Sequence, residues 1–293
     1  FEDAGAHLSA ETRAEVAEIN QLLSAHYTTF SNYVIADEED LVTWLAQDQL
    51  DGLSAGWCAH ARSVAQAHGQ PEKWAVQNTR SAVEPLLKLS PHRELRRQVW
   101  TTFYKRGETR SSHQNLPIAQ EILQLRAKRA ALLGFETHAH QVLARTMAGT
   151  PEATMTLLRQ VWAEATQAFN RDLATMTELA HDEGFDGVLE PWDVRYYAEK
   201  VRSRDHDIDP NEVRQYFSLD RLREGMFWVA HRCFGWTVQP ADVPLPHPDM
   251  TAWAIHDHEG SEIGLFYLDP FARTGKRSGA WMSAYRVQSW SEE

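Results

Sequence analysis

The sequence predicts a mainly α protein: a multi-helix body with a small antiparallel β-sheet or hairpin near its C-terminus. Three observations carry that expectation. Apolar residues recur at helical spacing through roughly the first 240 residues. Four prolines, Pro240, Pro244, Pro246 and Pro248, then forbid helix. Beyond them, short β-type runs flank a glycine-containing polar turn.

Val16, Ile19, Leu23, Tyr27, Phe30 and Val34 stand 3, 4, 4, 3 and 4 residues apart, which places them on one stripe of a long helix. Ser9 is its expected N-cap. A shorter helix is expected through Leu41 and Leu45, then another from about Ser54 to His68, closed by Gly69. Ser90 followed by Pro91 reads as an N-cap with proline at the first helical position, opening a helix to about Arg106. Residues 107–116 form a polar loop, and an amphipathic helix from Pro117 to Leu133 ends at Gly134. Thr150-Pro151 repeats the cap-and-proline device for a helix of roughly thirty residues ending near Gly184. Further helices open at Pro191, Pro210 and Ser218, the last stopping by Gly235.

Trp253-Ala254-Ile255-His256 and Ile263-Gly264-Leu265-Phe266-Tyr267-Leu268 flank Asp257-His258-Glu259-Gly260-Ser261, the pattern of a hairpin. Ala280-Trp281-Met282 is the expected third strand. Strands are expected only around residues 252–282, with residues 74–77 the one further candidate. Residues 1–240 are taken as a helical region and residues 241–293 as the start of a sheet.

With 43% apolar and 24% charged residues in 293, the chain can bury a sizeable core. A net charge of −12 argues against nucleic acid or an anionic membrane as partner, because both need a basic face. The densest basic cluster, Arg93-Glu94-Leu95-Arg96-Arg97, reads as a solvated helix face. No run approaches the ~18–20 apolar residues of a membrane span. The first residues lack the basic and apolar regions of a secretory signal. Phe1 stands where an initiator methionine is usual, which goes with an expectation of processing or truncation. Cys58 and Cys233 lie in apolar helical contexts and read as buried free thiols of a reducing compartment, so a cytoplasmic location is expected.

A hydrolytic zinc site on a helix needs two histidines one turn apart with a glutamate beside the first. No two of the 14 histidines are four apart, so that motif is absent. His256-Asp257-His258-Glu259 has metal-ligand residue types, but it fills the expected hairpin turn, where polar residues belong in any case. Glu178 and His181 match one element of a di-metal bundle, which needs a second copy; an exposed helical ion pair is the better reading. Lys276-Arg277 before Ser278-Gly279-Ala280 is a basic turn leading into a small-residue strand. Its two readings are a close-packed strand and an edge strand that a peptide main chain can approach.

Several ordered segments resemble one family. They include Gly5-Ala6-His7-Leu8-Ser9, Arg126-Ala127-Lys128-Arg129-Ala130-Ala131-Leu132-Leu133-Gly134, Met147-Ala148-Gly149-Thr150-Pro151 and Trp192-Asp193-Val194-Arg195-Tyr196-Tyr197. Gly264-Leu265-Phe266-Tyr267-Leu268-Asp269 follows, then Arg273, Gly275, Lys276 and Gly279-Ala280-Trp281-Met282. Together they resemble the thimet oligopeptidase family of zinc metallopeptidases, in its dipeptidyl carboxypeptidase (peptidyl-dipeptidase) branch. Pro270 stands where an apolar residue is usual, Ser278 where glycine is common, and residues 283–293 soon lose the match.

The resemblance implies hydrolysis of short peptides, with removal of C-terminal dipeptides and with zinc in the complete enzyme. The family's His-Glu-x-x-His helix and its later helper residues lie beyond Glu293, so none is carried over, and no zinc is expected on this chain. What carries over is a substrate-facing role for Ser278, Gly279, Ala280 and Trp281. The implied partners are short peptides and the C-terminal catalytic part. The competing reading is a non-catalytic peptide-binding or vestigial helical scaffold. If metal-bearing helices normally cover this region, an exposed apolar patch is expected around Trp253, Phe266, Tyr267, Phe271, Trp281, Tyr285 and Trp290, with residues 283–293 poorly anchored.

Overall fold

The computed structural model describes the chain apart from residues 1–4, 111, 207, 209, 272, 274, 275, 277, 278, 280 and 291–293. Its architecture is mainly α with two small antiparallel sheets, and it divides into two compact units, Phe1–Arg202 and Ser203–Glu293.

The first unit opens with α1 (Ala10–Asp40), where Ser9 Oγ accepts from Thr12 N at 3.1 Å, as a cap should. Val16, Ile19 and Leu23 of the apolar stripe are buried, and Ile19 and Leu23 pack with Ile122 of α5 (Asn115–Leu132). Tyr27 and Phe30, further along the stripe, are exposed.

The short helix expected through Leu41 and Leu45 is instead a strand, β1 (Val42–Leu45), antiparallel to β2 (Trp74–Gln77). The spacing of Leu41 and Leu45 fits a helix, but Val-Thr-Trp is β-branched and aromatic. A partner strand is present, and Thr43 and Leu45 alternate inward. Between the strands lies α2 (Ala55–Ala67), capped by Ser54 as expected.

After β2 come α3 (Arg80–Leu89), which the sequence reading missed, and α4 (Arg93–Tyr104). Ser90 therefore ends one helix rather than starting the next. Its N–H donates to Leu86 O at 2.9 Å, and α4 begins after His92. Leu45, Val76, Val83, Leu86, Leu95 and Val99 form the core between these elements, with Trp57, Trp74 and Trp100 packed against it.

Asp37 near the end of α1 is fully buried and organises the polar loop that precedes α5. Its carboxylate accepts from Gly107 N at 2.8 Å and Thr109 Oγ1 at 3.1 Å, and meets Arg110 Nε at 3.2 Å and His113 Nδ1 at 3.1 Å. Gly107 is required here twice over. Its φ is +81°, and a Cβ would stand 2.2 Å from Asn115 Nδ2.

Beyond α5 and α6 (His138–Leu143), Thr150 caps α7 (Pro151–Asp182) with proline in its first turn. Met176 and Ala180 of α7 pack with Tyr197 of α8 (Pro191–His206). Asp193 of α8 corrects the reading of 93–97 as a solvated face. Arg93 grips both its carboxylate oxygens, and Arg96, 2% exposed, donates Nη2 to Oδ1 at 2.8 Å. Arg96 also donates to Ser90 O and Trp192 O and lies over the Tyr196 ring. Only the Arg97–Glu94 pair of that cluster is a surface pair.

The second unit holds α9 (Pro210–Tyr216), α10 (Leu219–Phe234) and a three-stranded sheet in the order β3 (Thr237–Pro240), β4 (Thr251–His256), β5 (Glu262–Leu268). Ser218 caps α10, and Gly235 ends it in the left-handed region. The hairpin is where it was expected, but the third strand is residues 237–240, not 280–282. Trp281 and Met282 lie outside any strand, and Ala280 lies outside the described residues. Trp253 and Phe266 face each other across β4 and β5, and Phe227 of α10 meets both rings edge-on at 5.5 and 6.1 Å. Cys58 is half-buried, Cys233 is exposed rather than buried, and both are free.

Candidate functional site

β5 carries the chain into the segment that the sequence singles out. Its residues alternate: Gly264, Phe266 and Leu268 are partly covered, whereas Ile263, Leu265 and Tyr267 are exposed. The β4–β5 turn is ordered by Asp257, whose Oδ1 accepts from Glu259 N and Ser261 N, each at 2.9 Å. Those backbone hydrogen bonds, that from Ser261 foremost, lower the Asp257 carboxyl below its ordinary value. His258 and Glu259 are exposed in this turn, so the four-residue cluster is turn chemistry.

Immediately after β5, Asp269 becomes the centre of a second, tighter arrangement. Arg273 donates Nη1 to Oδ1 at 2.6 Å and Nη2 to Oδ2 at 2.8 Å, a bidentate fork. Lys276 Nζ meets Oδ1 at 2.9 Å and donates to the carbonyls of Asp269 at 2.8 Å and Phe271 at 2.6 Å. Hydrogen bonds from Arg273 and then Lys276 hold the Asp269 carboxyl well below the usual carboxylate range. The expected basic turn is thus an ion-paired one, at least at Lys276. Reading Lys276 with its sequence neighbours hid this; the signal available was an acid followed by cations four and seven residues on.

Of the four residues expected to face substrate, Ser278 and Ala280 lie outside the described residues. Gly279 has φ +125°, a conformation that favours glycine, and a Cβ there would be 3.8 Å from Trp281 Cζ3. Trp281 is 61% exposed. Among the seven aromatics expected to report on cover, Trp253 is buried and Phe266 half-buried, while Tyr267, Phe271, Trp281, Tyr285 and Trp290 are exposed.

Among the described residues zinc finds no fitting donor set. No two histidines stand four apart, and among the described residues no three His, Cys, Asp or Glu side chains are grouped to hold a metal ion. Glu178 and His181 are both exposed along α7, and among the described residues no ion pair joins them. Among the described residues no helix is long and apolar enough to cross a membrane.

The chain belongs to peptidase family M3, whose model matches residues 86–292. It is 32% identical to the dipeptidyl carboxypeptidase of Escherichia coli over 291 residues, covering 98% of this chain and 42% of that protein. It is also 32% identical to oligopeptidase A of Salmonella typhimurium, over 96% of this chain and 42% of that protein. A probable thimet oligopeptidase of Arabidopsis thaliana is 27% identical over 94% of this chain. The chain spans less than half the length of these curated relatives.

Proposed function

We propose that this chain is part of a zinc metallopeptidase of the oligopeptidase type, which hydrolyses short peptides and releases C-terminal dipeptides. The observation that supports it is an identity of 32% to a dipeptidyl carboxypeptidase, sustained over 98% of the chain. Among the described residues no three His, Cys, Asp or Glu side chains are grouped to hold a metal ion, so no catalytic step is assigned to them, and the chain by itself is expected to cleave nothing.

Its own contribution is scaffold and substrate contact, through Ser278, Gly279, Ala280 and Trp281. Gly279 supports that role chemically: it has no side chain to block an approaching peptide backbone, and its φ is one that an L side chain resists. Short peptides are the proposed substrates, the remainder of the peptidase is the proposed partner, and the proposed compartment is the cytoplasm.

The test is product analysis with the protein at its native length and an N-terminally blocked tetrapeptide. Release of the intact C-terminal dipeptide, lost with a chelator and restored by zinc, is expected. Cleavage elsewhere, no cleavage, or cleavage indifferent to chelation contradicts the reading. A second reading, a non-catalytic peptide-binding scaffold, is favoured by the lack of any histidine pair four apart. It predicts peptide binding without cleavage in the same assay.

A further inference from the structure

The end of the β1–β2 pair where Leu45 faces Trp74 carries charges that no ion pair absorbs. A cavity of about 630 Å3 lies there, bounded among others by Trp44 of β1, Trp74 of β2, Arg62 of α2 and the loop residues Glu72 and Lys73. Its volume is within the ~300–1,000 Å3 range of small-ligand sites. Both tryptophans are half-buried, and Trp74 packs against the core, which fixes that wall from behind.

Arg62 Cζ lies 5.3 Å from the centre of the Trp74 ring, and Lys73 Nζ lies 5.8 Å from that of Trp44. Contact with a ring face uses a cation's charge but none of its N–H donors. Both cations are exposed, and among the described residues neither meets a carboxylate. By contrast, Arg80, Arg93, Arg96, Arg106, Arg110 and Arg195 of the same unit all hold acids. Glu72, at the same cavity, is likewise without an ion pair among the described residues. Two cations and an acid thus share one cavity with two indole rings and do not pair with one another.

We propose that this cavity binds a short peptide with both termini charged and an aromatic C-terminal residue. The carboxylate takes donors from Arg62 and Lys73, the aromatic side chain lies against Trp44 and Trp74, and the terminal ammonium meets Glu72. The aromatic residue is the C-terminal one because each cation stands against a ring, so whatever fills the indole surface is attached next to the carboxylate. Glu72 selects the class. A nucleotide also offers a planar ring and an anion, but it has no cation for this acid and brings negative charge towards it. Mixed charge in the cavity is complementary to a zwitterion. Such peptides are of the class released by the activity proposed above, but the site stands on its own residues and not on that reading.

Titration calorimetry of the 293-residue chain with alanyl-phenylalanine tests this. Saturable one-to-one binding is expected, weakened roughly tenfold by C-terminal amidation and roughly fivefold by N-acetylation or by alanyl-alanine in its place. Arg62→Gln combined with Lys73→Gln should cost the dipeptide roughly the same tenfold, while the amide binds this variant as it binds the unaltered chain. Both positions are exposed, so the circular dichroism of the variant should superimpose on that of the unaltered chain. The ligand series decides by itself if the variant does not fold. No saturable binding overturns the proposal, as does an amidated or acetylated peptide that binds as well as the free one. So does a folded double variant with full affinity, or adenosine monophosphate bound more tightly than the dipeptide. The readout is binding, so its failure is distinct from failure of the native-length protein to cleave peptides.

Discussion

Arg96 and Asp193 form an ion pair from which water is excluded on both sides: Nη2 to Oδ1 is 2.8 Å, and the side chains are 2% and 0% exposed. They lie 97 residues apart in sequence, and with Arg93 they fasten the start of α8 to α4. Glu190 N also donates to Asp193 Oδ2 at 3.1 Å, so every lone-pair direction of this buried carboxylate has a protein partner. Such a pair adds little over a well-packed apolar alternative, but breaking it strands a charge.

Asp193→Ala is therefore expected to destabilise the chain by about 3–5 kcal/mol, because Arg96 loses its counter-charge in the interior. Urea unfolding followed by far-ultraviolet circular dichroism measures this. A loss below about 1 kcal/mol, the scale of an exposed pair, would contradict the burial argument.

The same carboxyl sets a pH dependence. Burial raises it, but hydrogen bonds from Arg93 and Arg96 outweigh burial and hold its pKa below the ordinary value. Glu84 behaves alike, with burial outweighed by hydrogen bonds from Arg195 and Arg80. A pKa lowered by folding gives stability that is complete above the unfolded-chain values of about 3.9 and 4.3. That stability is lost as pH falls through the folded values. The urea midpoint should thus fall steeply below about pH 4, and less steeply in Asp193→Asn, which has no proton to take up there. Parallel curves for the two proteins would rule the assignment out.

Gly107→Ala tests the loop around Asp37. The substitution meets both a φ of +81° and a contact of 2.2 Å to Asn115 Nδ2. A loss of about 2 kcal/mol or more is expected from strain and crowding together. Thermal melting reads it, and an unchanged melting temperature would mean that the loop accommodates a side chain freely.

The long helices were legible because their signals are local. Ser9, Thr150 and Ser218 each cap the helix that follows, and Gly235 ends the last one. What escaped depends on partners distant in sequence. β1 needs β2, about thirty residues on, to outweigh its helix-like leucine spacing, and β3 needs β4. Arg96 looks like any surface arginine until Asp193 arrives beside it. Ser90 has the residue type of an N-cap, but the preceding helix uses it first. At the candidate site, Gly279 was legible as a position without a side chain, while the ion pairing of Asp269 was not. The pairing of Asp269 with Arg273 and Lys276 is a property of a folded turn, and the adjacent cations Lys276 and Arg277 read in the sequence as a basic turn.

The central claim is that this chain supplies scaffold and substrate contact to a zinc peptidase without supplying the metal centre. Metal analysis of the tag-free 293-residue chain, after equilibration with zinc and gel filtration and beside the native-length protein, tests it most directly. The account predicts far less than one zinc per 293-residue chain and no peptide cleavage by it, with one tightly held zinc and chelator-sensitive dipeptide release by the native-length protein. Stoichiometric zinc on the 293-residue chain, or a native-length protein that holds none, would contradict it.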